Sequence, residues 1–275
     1  MNGKVFLVGA GPGDPELLTV KALRLLRTAD VVLHDDLVTP EILTLISSTA
    51  DVRNVGKRCG SKTIRQEEIN FLMVTLAASG GQVVRLKSGD PLIFGRAGEE
   101  IEALRRANVE YEIVPGVTSA FGAAAAAGIP LTHRRTSSTV VLTTGHRAPE
   151  NSEADWSGLA GTESTFVVYM PGHDYGEIAR ELLAAGFAKE TPCAIISRAT
   201  TREQRIHRTT VSELHGAPRL ASPTLLVVGE VVRFADQSLL EEARLSVSEN
   251  AMGAAFGRNA FSPAEGLRAD EEPLA

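Results

Sequence analysis

Val8-Gly9-Ala10-Gly11-Pro12-Gly13-Asp14-Pro15 joins a short apolar run at residues 5–8 to a helical pattern beginning at Pro15. A small-residue turn between a strand and a helix is the context of a ligand loop at the carboxyl edge of a sheet. It is not a dinucleotide loop. The glycine spacing is G-x-G-x-G rather than G-x-G-x-x-G, Pro12 removes one backbone N–H, and Asp14 sets a carboxylate where a pyrophosphate would lie. No G-x-x-x-x-G-K-[ST] phosphate loop occurs either. The turn suits something flat, uncharged or cationic, lying close to the backbone.

The same alternation continues on both sides of this turn. Residues 31–34, 52–55, 83–86 and 111–114 read as further strands, and 15–27, 40–48, 66–78 and 98–107 as helices. Asp14-Pro15 and Thr39-Pro40 each put a capping side chain before a proline at the first helical position. After Pro115-Gly116 the pattern shifts to an Ala-rich helix at 118–127 and strands at 140–144, 165–170, 194–197, 204–210 and 224–232. The close succession of 194–197 and 204–211 suggests a hairpin. The expected fold is therefore α/β, with a mainly parallel N-terminal sheet over 1–116, a mixed C-terminal sheet over 117–240 and a cleft between them. Residues 241–275, rich in Ser, Glu, Ala, Gly and Pro, read as a loose acidic tail. Three more small-residue turns, at 87–96, 114–120 and 169–172, end predicted strands, so four turns are expected to line one crevice.

Composition narrows the function classes. The 275 residues are 43% hydrophobic and 23% charged, ordinary globular usage. No apolar run approaches the roughly 20 residues of a membrane span, and no secretory leader pattern is visible, so a cytoplasmic setting without membrane partners is expected. Net charge is −6, of which the tail from Glu241 carries −4, so the body lacks the basic excess of a broad nucleic-acid surface. Cys59 and Cys193 form no paired-thiol motif, and the six histidines show no metal-ligand spacing, so no metal is expected. His133 and His146 read as turn or substrate-pocket residues.

The strings VGAGPGDPELLT (8–19), DDLV (35–38), VGKR (55–58), RLKSGDPLIFGRAGEE (85–100), VPGVTSA (114–120), GIPLTHR (128–134), TTGH (143–146), YMPG (169–172) and VVGEVV (227–232) resemble, in order, the tetrapyrrole methylase family. The likeness is strongest to the branch that methylates uroporphyrinogen III, and it leaves the tail uncovered. It implies S-adenosylmethionine folded into the cleft of a two-domain homodimer, with no metal. The implied reaction is two successive methyl transfers to pyrrole carbons of uroporphyrinogen III. These give precorrin-2 and S-adenosylhomocysteine, feeding sirohaem or cobalamin synthesis.

Carried over position by position, the resemblance assigns the methyl-donor site to Pro12, Ser88, Gly89, Asp90, Ile93, Thr118, Ser119, Met170 and Ala199. Its proton-acceptor position falls on Asp35 and its proton-donor position on Lys57. Arg96, a third catalytic candidate, and Glu99 match positions used around substrate. A substrate bearing eight carboxylates demands cations, and Arg58 and Arg134 are expected to join Arg96 there, with Arg135 and Arg147 as further candidates. The sequence departs from the family's pattern where His34 stands for a common tyrosine, Ser88 for the first glycine of Gly-Gly-Asp, and Ser119 for an alternative alanine. A later precorrin methyltransferase is the nearest rival, disfavoured by the VGKR and GIPLTHR strings. An RNA methylase of this fold would want a more basic body, and a nicotinamide-binding protein a different loop spacing. Because the chain opens directly on the methylase motif, the expectation is that it makes precorrin-2 and stops there.

Overall fold

The computed structural model describes residues 3–56, 64–145, 156 and 163–235. Lys57, Arg58, Cys59, His146, Arg147 and the 241–275 segment lie outside these, so the expectations placed on them have no structural counterpart here.

Five strands, β1 (Lys4–Gly9), β2 (Val31–His34), β3 (Asp51–Asn54), β4 (Gln82–Lys87) and β5 (Glu110–Val114), form one sheet in the order β3-β2-β4-β1-β5. Every pairing in it is parallel. Parallel strands are buried on both faces, and β1 and β4 are buried from their second residue onward. Edge strand β3 is exposed along its whole length. On one face, α1 (Val20–Thr28) and α2 (Pro40–Leu43) set Leu25, Leu26 and Ile42 against Phe6, Val8, Val32 and Val84. On the other, α3 (Gln66–Ala78) and α4 (Ala97–Arg106) set Ile69, Met73 and Leu104 against Val5, Leu7, Leu33 and Val83. The connection leaving β1 therefore crosses one face and that leaving β4 the opposite face. Neighbours β1 and β4 form a topological switch point, where open α/β sheets hold their ligands beyond the strand carboxyl ends.

The second sheet contains β6 (Thr139–Thr144), β7 (Ser164–Tyr169), β8 (Pro192–Ser197), β9 (Arg205–Thr210) and β10 (Thr224–Val228), in the order β6-β7-β10-β8-β9. It is mixed as expected: β6 and β7 are parallel, whereas β7–β10, β10–β8 and the β8–β9 hairpin are antiparallel. The Ala-rich helix α5 (Ser119–Ala126) packs Ala120 and Ala123 on Val167, Ile196 and Val227. Helix α6 (Tyr175–Ala184) covers the other face through Ile178 and Leu182.

Several elements differ from the sequence expectation for local reasons. The helix expected over 15–27 is split. Asp14 caps only a 3-10 turn, Pro15–Leu17, after which Leu18 is extended and Thr19 Oγ1 accepts Ala22 N–H to start α1. The helix expected over 40–48 stops at Leu43. The strand expected to reach residue 232 ends at Val228, because Gly229 turns the chain into a 3-10 segment, Glu230–Phe234. Helix α6 is an element beyond those expected from sequence. Its signal is nonetheless plain: Asp174 Oδ1 accepts Glu177 N–H, and buried Tyr175, Ile178, Ala179 and Leu182 recur at helical spacing.

Candidate active site

Three of the four small-residue turns meet backbone to backbone at the switch point. Gly11 and Gly89 exchange two hydrogen bonds, at 3.1 and 2.7 Å, and Ala10 N–H donates to Lys87 O at 2.7 Å. The glycines make this contact possible, since a Cβ on Gly116 would lie 2.3 Å from Gly89 O and one on Gly9 2.5 Å from Gly116 N. Asp90 ties the group together. Its Oδ2 accepts Gly116 N–H at 3.0 Å and its Oδ1 accepts Leu92 N–H at 2.9 Å. The result is a floor of bare backbone at the carboxyl ends of β4, β1 and β5.

The fourth turn reaches this floor from the second sheet. Tyr169, at the end of β7, shares a 2.6 Å hydrogen bond with Thr118 Oγ1 and accepts Ala120 N–H at 3.1 Å, satisfying one orphan donor at the start of α5. Burial pushes its phenol up from the ordinary tyrosine range. Phe94, from the β4–α4 turn, stacks at a tilt on the Tyr169 ring with centroids 4.8 Å apart. Apolar side chains rim the meeting place: Leu92, Phe94, Phe121 and Met170 are each 41–58% exposed. Large apolar groups left open together mark a surface built for contact. Of the six described non-glycine residues with left-handed φ values, five (Phe94, Arg96, Met170, Arg198 and Thr200, 46–66°) stand on turns that follow β4, β7 or β8, and only Asn108 lies elsewhere, before β5. Strain gathered in one place is characteristic of functional sites.

Among the expected donor-site residues, Ser88, Gly89, Asp90, Ile93, Thr118, Ser119 and Met170 thus fall on these converging turns. Ser119 Oγ would stand 3.2 Å from a Cβ on Gly89. Position 88 accepts a serine without strain, because the left-handed residue is Gly89, at φ +69°. Pro12 is close by, its ring filling the notch that Gly122 leaves on α5. Ala199 is buried between two left-handed residues, Arg198 and Thr200, and Thr200 Oγ1 accepts Asp14 N–H at 3.1 Å across the two sheets. An open depression of about 360 Å³ lies alongside, between Gly13–Glu16, Glu41 and Thr200–Arg202.

The substrate-side expectations divide. Arg96 and Glu99 pair with each other in a fork, at 2.7 and 2.6 Å, both about half exposed at the start of α4. Glu99 holds the Arg96 guanidinium above its ordinary pKa. Arg134 and Arg135 do not join them. They are exposed on the turn closed by His133 and Ser137, next to the first residues of β6 and β7. Met170 follows the last residue of β7, about 20 Å away along a six-residue strand. His133 is a turn residue, its Nδ1 near Thr136 Oγ1 at 3.0 Å and its ring stacked on Phe234.

Asp35 follows β2 on the ligand edge, and its surroundings hold residues that sequence reasoning left without a role. Arg85 Nη2 donates to Asp35 Oδ1 at 2.5 Å, and Arg85 Nε donates to Glu100 Oε1 at 2.9 Å. Lys87 Nζ also reaches Glu100, at 3.0 Å. Arg85, Lys87 and Glu100 are at most 3% exposed. Burial opposes the Arg85 charge, but the Asp35 and Glu100 carboxylates outweigh it and hold the guanidinium above its usual pKa. Lys87 goes the other way, lowered by burial and by the neighbouring Arg85 charge. The signal was the alternation in VVRLK: two cations on one face of a buried strand require buried anions opposite. Among the described residues, no three His, Cys, Asp or Glu side chains gather as metal ligands would, and no helix is long and apolar enough to cross a membrane.

Residues 4–215 match the sequence pattern of the Tetrapyrrole (Corrin/Porphyrin) Methylases. A curated relative, siroheme synthase 1 of Yersinia enterocolitica, is 50% identical over 235 residues, which is 84% of this chain and 49% of that protein. The chain thus spans about half the length of the curated relatives it matches. Among solved structures, uroporphyrin-III C-methyltransferase from Thermus thermophilus, complexed with S-adenosylhomocysteine, superposes with a TM-score of 0.74 at 41% identity, covering 84% of this chain and 99% of that one. A cobalt precorrin-4 methyltransferase of cobalamin biosynthesis superposes equally well, at 0.74, with 35% identity over 83% of this chain and 95% of its own.

Proposed function

The chain belongs to the tetrapyrrole methylase family, and from that premise we propose that it is an S-adenosylmethionine-dependent C-methyltransferase converting uroporphyrinogen III to precorrin-2. The observation that carries this reading is the backbone floor of Gly9, Gly89 and Gly116 under an open rim of Leu92, Phe94, Phe121 and Met170. A flat adenosine fits such a place. Backbone groups serve its polar edges, the apolar rim its faces, Met170 adds a polarizable contact, and Asp90 is a carboxylate suited to a cationic or hydroxyl-bearing ligand. S-adenosylmethionine supplies a methyl group already activated on a sulfonium, so no protein nucleophile is needed and positioning dominates the rate.

The remaining work is proton handling and substrate anchoring. As a pyrrole carbon takes the methyl group, the macrocycle must lose a proton, and Asp35 at the same sheet edge is the assigned acceptor, with Lys57 as donor. Arg96 binds a substrate carboxylate by exchanging its Glu99 partner for it, a trade of like for like that discriminates by geometry. In this reading the two sheets are the cores of two domains parting near Gly116, and the chain acts as a homodimer.

The test is an anaerobic assay with uroporphyrinogen III and labelled S-adenosylmethionine, followed by product mass. A gain of two methyl groups supports the reading. Under it, Asp35→Asn lowers kcat by roughly 100-fold or more while donor binding persists, and Arg96→Ala acts mainly on KM. The equal superposition of the precorrin-4 enzyme favours one alternative, methylation of a later corrin intermediate. Donor binding without transfer to uroporphyrinogen III would turn the assignment that way, and an absence of both binding and transfer would overturn it.

A further inference from the structure

Four ionised groups form a chain from the protein interior to the ligand edge: Lys87, Glu100, Arg85 and Asp35. Two anions balance two cations. Only Asp35 reaches solvent, its side chain 29% exposed against 2%, 3% and 0% for Arg85, Lys87 and Glu100. Burying ions in this way is an inefficient route to stability. Desolvation costs several kcal/mol per ion, and well-packed apolar residues usually serve as well or better. The arrangement instead fixes direction. Arg85 spends Nε on Glu100, Nη1 on the carbonyls of Leu33 and Leu86, and Nη2 on Asp35. A guanidinium bonded on every nitrogen has one orientation, and the Asp35 carboxylate inherits it. Gln66 adds a further hold, donating from Nε2 to Glu100 Oε1 at 3.3 Å.

We infer that Arg85 is a positioning residue for the methyl transfer, holding the Asp35 carboxylate at the sheet edge while Glu100 and Lys87 balance its charge from behind. The inference rests on the proposed reading, in which Asp35 accepts the proton. A lysine at position 85 is not equivalent, because a single ammonium lacks the planar fork that spans Glu100 and Asp35 together.

The experiment is a double-mutant cycle on the full chain, read as kcat for methyl transfer to uroporphyrinogen III, with S-adenosylmethionine affinity measured separately by equilibrium dialysis. Arg85→Gln is paired with Glu100→Gln, which removes one cation and one anion together, and a thermal melt checks that the variant, in which Lys87 loses its Glu100 partner, still folds. Arg85→Lys is the conservative companion. The Gln/Gln variant is expected to lose roughly 100-fold in kcat through misplacement of the reacting group, with donor affinity and KM within about twofold of wild type, and Arg85→Lys to recover only part of the loss. In an Asp35→Asn background, the same Gln/Gln change is expected to cost less than about twofold more, because its effect passes through Asp35. An active wild type whose losses multiply across the cycle, or whose Gln/Gln variant loses donor binding, would overturn the positioning role alone. Full activity of Asp35→Asn would remove the proton-acceptor assignment and the positioning role with it. A wild-type chain that transfers no methyl group would overturn the substrate reading first.

Discussion

At Gly116 a single added methyl group would stand 2.3 Å from the carbonyl oxygen of Gly89 and 2.9 Å from the Gly9 backbone. Neither neighbour is a side chain that can swing away. Gly116→Ala therefore forces two sheet-edge turns apart, and overpacking of this kind costs about 1–3 kcal/mol. A lowered urea midpoint together with weakened donor binding is the expected result, and an unchanged midpoint would show that the turns yield freely. Cys193 makes a second residue-scale prediction. Burial alone pushes its thiol from 9.0 up to about 12. The folded state holds that proton more tightly than the unfolded chain, so the contribution is complete below about pH 9 and is lost as pH rises toward 12. The slope above pH 9 is about 1.4 kcal/mol per unit. Measured unfolding free energies of wild type and Cys193→Ala should accordingly converge between pH 9 and 10, and a constant gap would contradict the burial. Of the residues that build the site, those inside turn motifs were legible in sequence because turns advertise themselves through Gly, Pro and Asp. Arg85 was legible only as a cation on the buried face of VVRLK, and its partner Glu100 was not, because a lone charge on a helix usually faces water and only packing brings the two together.

Helix α5 begins against Tyr169, so β7 and α5 fix each other's position. Tyr169→Phe keeps the ring and its contact with Phe94 but leaves Ala120 N–H and Thr118 Oγ1 buried without this partner. The expected loss is about 1–3 kcal/mol, readable as a lower Tm, with weaker S-adenosylmethionine binding because Thr118 and Ser119 start this helix. If stability falls and binding does not, the start of α5 lies outside the donor site. Elements of the first sheet were readable because doubly covered parallel strands leave apolar runs that little else produces. Helix ends were less so. Asp14-Pro15 and Thr39-Pro40 are good start signals, yet they open a 3-10 turn and a four-residue helix, Pro40–Leu43. Caps specify where a helix begins and say little about how far it runs. Helix α6 has its own cap and clean apolar spacing, but the strands on either side of it leave the stronger apolar runs in that half of the sequence.

The two sheets keep separate cores and meet along a few contacts, among them Tyr169 with Phe94, Pro12 in the Gly122 notch and Asp14 N–H on Thr200 Oγ1. Contacts of this kind add little to the stability of either half, and they set the width of the cleft between them. Thr200 separates the two roles. It is a β-branched residue at φ +66°, a conformation that costs about 1–3 kcal/mol. Thr200→Gly releases that strain, forfeits one hydrogen bond worth about 0.5–1.5 kcal/mol, and adds about 0.5–1 kcal/mol of backbone entropy cost. These effects nearly cancel, so the thermal midpoint should stay close to wild type. The Pro12 loop loses its tie to the opposite sheet and must be ordered anew each time a ligand enters, which weakens S-adenosylmethionine binding by roughly 2- to 10-fold. Differential scanning calorimetry and equilibrium dialysis on the same preparation would read both quantities. A fall in midpoint without a loss of affinity would assign Thr200 to the core of its own sheet, whereas the reverse pattern makes the strained threonine part of what holds the cleft to the width its ligand needs.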